Sequence, residues 1–271
     1  IKNSKDLKRH QKQVKSVEKE ITIFHAESVN KILKKKKLNI DFIGFHGQTI
    51  YHNADKKITK QLGDGKLLSK LIKKKVVYNF RQNDLKNGGQ GAPLAPVFHQ
   101  MLEKKFIRKK EVGKYIEPVL FVNIGGVANR TTISEDLFKN FFFSATDIGP
   151  GMCLIDKWIN KNSKKKYDKN GNIAGTGKIN KKILNKALEN FWDKQSHIKD
   201  TSIQKITSYD VSDFNSSFVQ GLSLEDGAAT LTEYTAKIIY GDIFFTHDKI
   251  VKIILCGGGR KNKFLFKRIK K

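Results

Sequence analysis

Two cysteines, Cys153 and Cys256, are all that this chain of 271 residues offers to sulfur chemistry. Both lie in apolar segments, and two thiols in a chain of this size build neither a disulfide framework nor a thiolate metal site. A reducing, cytoplasmic setting follows as the expectation. Long apolar runs are missing too: no stretch approaches the ~20 residues of a membrane span, and no secretory pattern stands at the start. Acidic residues are outnumbered, 26 Asp plus Glu against 53 Lys plus Arg, for a formal charge of +27. Such an excess ordinarily raises nucleic acid or an anionic membrane as a partner. The lysines, however, spread through nearly every predicted helix and loop, with short runs at Lys34–Lys37, Lys73–Lys75, Lys164–Lys166 and Lys270–Lys271. Arginine is scarce, and aromatics do not interleave with a basic face as base reading requires. A solvated, lysine-rich surface is the better reading, with no specific nucleic acid and no membrane as partner. His46 and His52 lack a matching set of carboxylates or thiols, so no metal ligands are assigned.

What is present is an alternation of strands and helices. Residues 5–36 read as one long or two consecutive helices, with Phe24, Val29, Ile32 and Leu33 at helical spacing. Asn39–Phe45 reads as a strand running into His46-Gly47-Gln48-Thr49. A short strand at Ile58–Leu62, a turn at Gly63-Asp64-Gly65, a helix at 66–73 and a strand at Val76–Phe80 follow. Arg81–Gly91 is a polar, glycine-rich loop before Ala92-Pro93-Leu94-Ala95-Pro96 and a helix to Lys104. Residues 105–117 are charged and loop-like and mark the boundary between domains 1–116 and 117–271. Beyond it, Val119–Ile124 ends in Gly125-Gly126, Val127–Ile133 returns as a hairpin, and the Phe141–Phe143 run delivers Asp147 into Ile148-Gly149-Pro150-Gly151. Helices near 152–162, 179–193 and 225–240, a strand at 250–256 and a final helix complete the pattern. The class is α/β with a mixed sheet in each half. The chain opens at Ile1 inside a charged amphipathic stretch and closes on Lys267–Lys271, so both ends look cut and an incomplete domain is expected.

Three strands thus run into glycine corners, where bare backbone can approach a phosphate that a side chain would hold off. Asp147 stands at one of them, placed to take a proton from an attacking oxygen. Its dull reading is a helix cap, but it precedes the helix by several residues, so catalysis is favoured. Asp156, inside that helix, is a surface or supporting residue. His46 and Gln48 follow the C-terminal end of a strand, where open α/β sheets place ligand groups. With Thr49 and His52 they supply the donors and acceptors that a sugar needs, although a hydrogen-bonded core histidine is an equal reading of His46. Gly88-Gly89-Gln90-Gly91-Ala92-Pro93 is too glycine-dense for a plain connection. Arg81 and Asp84, just before it, either brace it as an ion pair or reach the substrate. Gly257-Gly258-Gly259 with Asn262 is either a tight strand-to-helix turn or bare backbone for an adenine or ribose.

Taken in order, these segments resemble the anhydro-N-acetylmuramic acid kinases, sugar kinases of the actin, Hsp70 and hexokinase-like superfamily. The residues that carry the resemblance are Gly44 to Thr49, Gln61 to Gly65, Phe80-Arg81 with Gly88 to Leu94, Val122 to Asn129, Asp147 to Gly151, Leu224 to Thr232, and Cys256 to Gly259 with Asn262. They cover most of the chain. The resemblance implies a two-domain actin-like ATPase (ribonuclease H-like) fold with mixed sheets, closing on ATP and sugar in an inter-domain cleft. It implies ATP-dependent hydrolytic opening of 1,6-anhydro-N-acetylmuramic acid and phosphorylation of oxygen 6, giving N-acetylmuramic acid 6-phosphate in peptidoglycan recycling. ATP and Mg²⁺ are the implied cofactors, and a homodimer is implied as well. Asp147 matches the family's catalytic base. Gly125, Gly126, Asn129, Gly149, Gly151, Gly257, Gly258, Gly259 and Asn262 fall on the nucleotide side, and His46, Gln48, Gly89, Gln90 and Gly91 on the sugar side.

Three departures accompany it. The family's glycine-, serine- and threonine-rich first phosphate loop has no match in residues 1–38, its acidic helical closing segment is missing, and Asn79 stands where an Asp often precedes Phe-Arg. The competing reading is a non-catalytic nucleotide-binding module of the same superfamily, or an inactive fragment of the kinase. A basic nucleic-acid binder ranks well behind.

Overall fold

Residues 1, 3–92, 94–107, 118–135, 141–199, 209–246 and 252–270 are described by the computed structural model of the chain. They group into two compact units, Ile1–Leu94 and Ala95–Lys271. The boundary expected at 116/117 lies outside the described residues, and the helix that opens at Ala95 groups with the second unit.

In the first unit, helix α1 (Ser4–Arg9) begins at Asn3, whose side chain accepts the N–H groups of Lys5 and Asp6 while Asp6 accepts the N–H of Asn3. That reciprocal cap satisfies donors that a helix start leaves open. Helix α2 (Gln11–Lys36) follows after His10, so the long helical stretch is two helices. Strands β1 (Phe42–Phe45), β2 (Gln48–Asn53) and β3 (Ile58–Leu62), helix α3 (Gly65–Ile72), strand β4 (Lys75–Tyr78) and helix α4 (Phe80–Lys86) complete the unit. β1 pairs parallel with β4, while β2 and β3 form a separate antiparallel hairpin. The core is small: Ala26, Phe45, Leu68 and Ile72, with Val29, Ile43, Val76 and Tyr78 packed against it. Buried Thr22 ties the layers together, since its hydroxyl donates to Glu18 O at 2.6 Å and accepts the Asp64 N–H at 3.0 Å. Asp64 in turn caps α3.

Two expectations change here. The strand read at Val76–Phe80 stops at Tyr78, because Asn79 adopts a left-handed backbone (φ 59°), and Phe80–Lys86 of the expected loop is helix α4. Leu85 is the only buried residue of that helix, so no apolar period announces it. Gln48–Asn53, into which the expected strand at Asn39–Phe45 runs, is a separate strand paired with β3. β2 is half-buried along most of its length and offers no alternation to read.

The second unit opens with α5 (Ala95–Leu102), which runs into a wide helical turn at Glu103–Ile107. Strands β5 (Val119–Ile124), β6 (Val127–Glu135) and β7 (Phe141–Pro150) form an antiparallel meander. Helices α6 (Cys153–Asn162), α7 (Lys181–Lys199) and α8 (Leu224–Thr246) follow, then β8 (Lys252–Cys256), parallel to β5, and α9 (Lys263–Ile269). The sheet is mixed, in the order β7-β6-β5-β8. Strand alternation turns Leu120, Val122 and Ile124 to one face. There they join Leu154, Ile155 and Ile159 of α6 and Leu231, Ile238 and Ile239 of α8 in one buried core. Val119 and Phe121 turn to the other face with Ile133 and, from α5, Leu102. His99 of α5 stacks on Phe121 at 4.4 Å and lies 3.0 Å from Thr131 Oγ1. No helix among the described residues is long and apolar enough to cross a membrane.

Candidate active site

The register of the second-unit sheet sets four residues side by side near the strand ends. Asp147 pairs with Asn129, Asn129 with Asn123, and Asn123 with Cys256. Directly paired residues project to the same face. A carboxylate, two carboxamides and a thiol therefore form one row across β7, β6, β5 and β8, on the face that carries Phe121 and Thr131 one step further down. All four are partly exposed. A bulge beside Ala128 and Asn129 shapes the end of this row, and bulges of this kind re-aim side chains next to functional sites.

Asp147 accepts the main-chain N–H of Tyr209 on Oδ2 at 2.7 Å. Burial pushes its carboxyl above the usual carboxylate range, and the Tyr209 N–H pulls it partly back. A carboxylate raised in this way is a stronger proton acceptor, closer to what a general base needs near neutral pH. Asp147 does not cap α6. The N–H groups of Gly151, Met152 and Cys153 donate instead to the carbonyls of Gly126, Gly125 and Gly126, at 2.9, 2.7 and 3.1 Å. The hairpin turn itself satisfies the helix start.

The glycines divide by what surrounds them. Gly125 is partly exposed, and Gly126 and Gly258 are exposed; a Cβ on Gly258 would meet nothing within 4 Å. Gly257 holds a left-handed turn (φ 79°), and a Cβ there would stand 2.5 Å from Ile124 O and 2.6 Å from Asn123 Oδ1. Gly149, Gly151 and Gly259 are buried, and a side chain on Gly151 would collide with the Gly125 carbonyl. Asn262 is 3 % exposed and accepts the Leu265 N–H at 3.0 Å as the cap of α9. Gly125, Gly126, Asn129 and Gly258 therefore present accessible surface, while the buried glycines and Asn262 hold the corners in shape. Asp156 is half-buried, and its Oδ1 is sealed from solvent without a partner among the described residues. Burial, and then the charge of Asp168, lift its carboxyl to about 6.

In the first unit, His46 and Gln48 are exposed at the open end of the β2–β3 hairpin, where Gln48 pairs with Leu62. His52, near the closed end, is the histidine that meets the glycine loop: a Cβ on Gly91 would stand 3.1 Å from its Cε1, and its Nδ1 lies 3.1 Å from Thr59 Oγ1. Burial, and then the Arg81 charge, lower the His52 pKa. Arg81 and Asp84 brace the loop through its backbone. Arg81 Nη1 donates to Gly91 O at 3.0 Å, Asp84 Oδ2 accepts the Gly91 N–H at 2.6 Å, and Asp84 O accepts the Gly89 N–H at 2.8 Å. Gln90 is left exposed on that loop. A polar hollow of about 300 Å³ in the same unit is lined by Glu18, Lys60, Gln61, Asp64, Asn79 and Gln82, among others. Lys60 and Glu18 pair there at 2.7 Å. Among the described residues, no three His, Cys, Asp or Glu side chains gather as a metal cluster.

Two members of the site escaped the sequence reading. Asn123 was legible as the one polar residue in the run Val119–Ile124. Tyr209 was not, because it acts through its main chain and leaves no side-chain signature.

Comparison with known proteins supplies a family. The sequence model for anhydro-N-acetylmuramic acid kinase matches residues 3–271. An anhydro-N-acetylmuramic acid kinase of Pelagibacter ubique (strain HTCC1062) is 47% identical over 279 residues, covering 100% of this chain and 69% of that protein. Enzymes of the same name from Rhizobium etli and Zymomonas mobilis are 37% and 36% identical, with 92% of this chain aligned to 64% of each. The chain thus spans about two thirds of the length of these relatives.

Proposed function

The chain belongs to the anhydro-N-acetylmuramic acid kinase family, and we propose that it acts as its relatives are named, phosphorylating 1,6-anhydro-N-acetylmuramic acid at the expense of ATP. The observation that carries this reading is the row Asp147–Asn129–Asn123 beside the two exposed glycine corners. In the proposed reaction, Asp147 takes a proton from a water whose oxygen attacks the anomeric carbon of the sugar. The bond from that carbon to oxygen 6 breaks, oxygen 6 bonds to the γ-phosphorus of ATP, and ADP departs. The products are N-acetylmuramic acid 6-phosphate, ADP and the proton held by Asp147. The pathway served would be peptidoglycan recycling, in a reducing compartment.

Little covalent work falls to the protein in phosphoryl transfer; positioning and charge stabilisation carry it. Gly125 and Gly126 offer backbone to the phosphates, Gly258 offers open surface to the nucleoside, and the Asn123 and Asn129 carboxamides supply donors and acceptors to phosphoryl oxygens and their waters. Mg²⁺ would arrive with the phosphates, as it usually does in kinases, and would neutralise charge on them. On the sugar side we keep His46, Gln48, Gly89, Gln90 and Gly91. The finer fold reading, a ribonuclease H-like, actin-type ATPase, is supported by the second-unit sheet, three antiparallel strands with a fourth parallel to the first.

The test is product identity. The chain, with the Pelagibacter ubique relative in parallel, is incubated with ATP, Mg²⁺ and the anhydro sugar and followed by phosphorus NMR. The expected outcome is a sugar 6-phosphate, with a free reducing end, from both proteins. Product from the relative and none from this chain contradicts the proposal.

A further inference from the structure

Tyr209 belongs to a short strap beside the Gly125-Gly126 turn. Asp210 and Asp213 close it as a capped turn, with the Asp210 N–H donated to Asp213 Oδ2 at 2.7 Å and the Ser212 N–H to Asp210 Oδ1 at 2.9 Å. Lys157 of α6 anchors it by donating to Val211 O at 2.9 Å, and Val211 Cγ2 would stand 3.3 Å from a Cβ on Gly126. The Tyr209 ring packs on Phe214 at 5.1 Å, and its hydroxyl accepts from Gln195 of α7. The Tyr209 ring and the turn that follows it are thus held by packed neighbours, and the Tyr209 N–H donates to Asp147 Oδ2.

Resting on the kinase reading of the site, we propose that the main-chain N–H of Tyr209 is the positioning group of the base: it occupies Oδ2 of Asp147 and leaves Oδ1 as the oxygen that takes the proton from the attacking water. A carboxylate with neither oxygen tied rotates, and its basic lone pairs sweep past the water. One short hydrogen bond to a charged acceptor fixes the plane and favours the ionised form. That direction agrees with the pull of Tyr209 against burial at Asp147. Titratable groups also stand on the strap and on the neighbouring elements. The Tyr209 phenol and Asp213 belong to the strap itself. Arg130 of β6 is paired with Asp242 of α8, Tyr234 stands on α8, and His99 on α5. Among the described residues, the Tyr209 N–H is the one donor bonded to the Asp147 carboxylate.

The experiment is an NMR titration of the Asp147 carboxyl carbon, assigned by its loss in Asp147→Asn. Tyr209→Pro deletes the N–H, and Tyr209→Ala removes the ring but keeps it. The expected result is a rise of about one pH unit in the Asp147 titration point with proline and none with alanine. The acid limb of kcat/KM for the sugar should move with it. Should the proline variant not fold, the unaltered protein still decides the matter. The Tyr209 amide resonance should titrate together with the Asp147 carboxyl and lose that titration in Asp147→Asn. An amide blind to Asp147 ionisation, or equal shifts with proline and alanine, overturns the proposal. Failure of the kinase reading looks different: the two nuclei stay coupled, yet the sugar elicits no ADP from ATP.

Discussion

Taken at Gly151 and Gly257 in one and at Gly88 in the other, the two units hold glycine turns in opposite ways. In the second, Gly151 and Gly257 lie so close to the strand ends that neither leaves room for a side chain. In the first, Gly88 has open space around it, and the loop that carries it hangs from Arg81 and Asp84. The cores differ in the same sense, a broad helix-covered sheet face in one and a cluster of four buried apolar side chains in the other. A base must keep its place to a fraction of an ångström, so it belongs on the packed sheet. A loop that admits a sugar tolerates polar braces and movement. On the proposed reading, the chemistry falls to the unit with the broad core and sugar recognition to the unit with the small one.

The comparison breaks most directly at Gly151. Replacing it with alanine drives a methyl group into the Gly125 carbonyl and should cost about 3 kcal/mol in denaturant unfolding. Gly88→Ala, strained in backbone (φ 88°) but free of clashes, should cost only about 1 kcal/mol. Equal losses would remove the distinction. Asp84→Ala should loosen the first-unit loop and raise KM for the sugar roughly tenfold, about 1.4 kcal/mol, with kcat and KM for ATP nearly unchanged. A fall in kcat instead would make the loop part of the chemistry.

Asp156 gives a signed prediction for the second unit. Its folded pKa of about 6 stands above the ordinary carboxylate value. Between those two values the folded chain binds the extra proton, so stability falls as pH rises from about 4 through about 6. Asp156→Asn should flatten that fall, by about 1 kcal/mol after allowance for a half-exposed site; unfolding curves at pH 4.5 and 7 measure it. The smallest effect is expected at Gly258. Alanine there should change stability by no more than about 0.5 kcal/mol, while KM for ATP rises a few-fold if nucleoside lies on that corner.

Much of this was legible in the chain. The second-unit hairpin, the Asp147 strand and the last glycine strand announce themselves because short apolar runs lead into glycine corners. What stayed hidden did so for local reasons. Helix α4 buries only Leu85, and β2 lacks alternation, so neither carries a period. Sequence also could not separate a glycine that faces open space from one that makes room for its neighbours. Gly258 and Gly259 are adjacent, yet one is exposed and the other pressed on Ile124. A catalytic role for Asp147 was expected from its place at a strand end beside a glycine corner, but its hydrogen-bond partner lies 62 residues away and contributes only a main-chain N–H.

The measurement that bears most directly on the account is sugar-dependent ADP release before and after Asp147→Asn, with ATP binding followed in the same preparations. The expected result is a fall in turnover on the order of a thousandfold with ATP binding unchanged. A variant that keeps its rate within tenfold would contradict the assignment of Asp147 as the base, and with it the catalytic role of the row across the sheet.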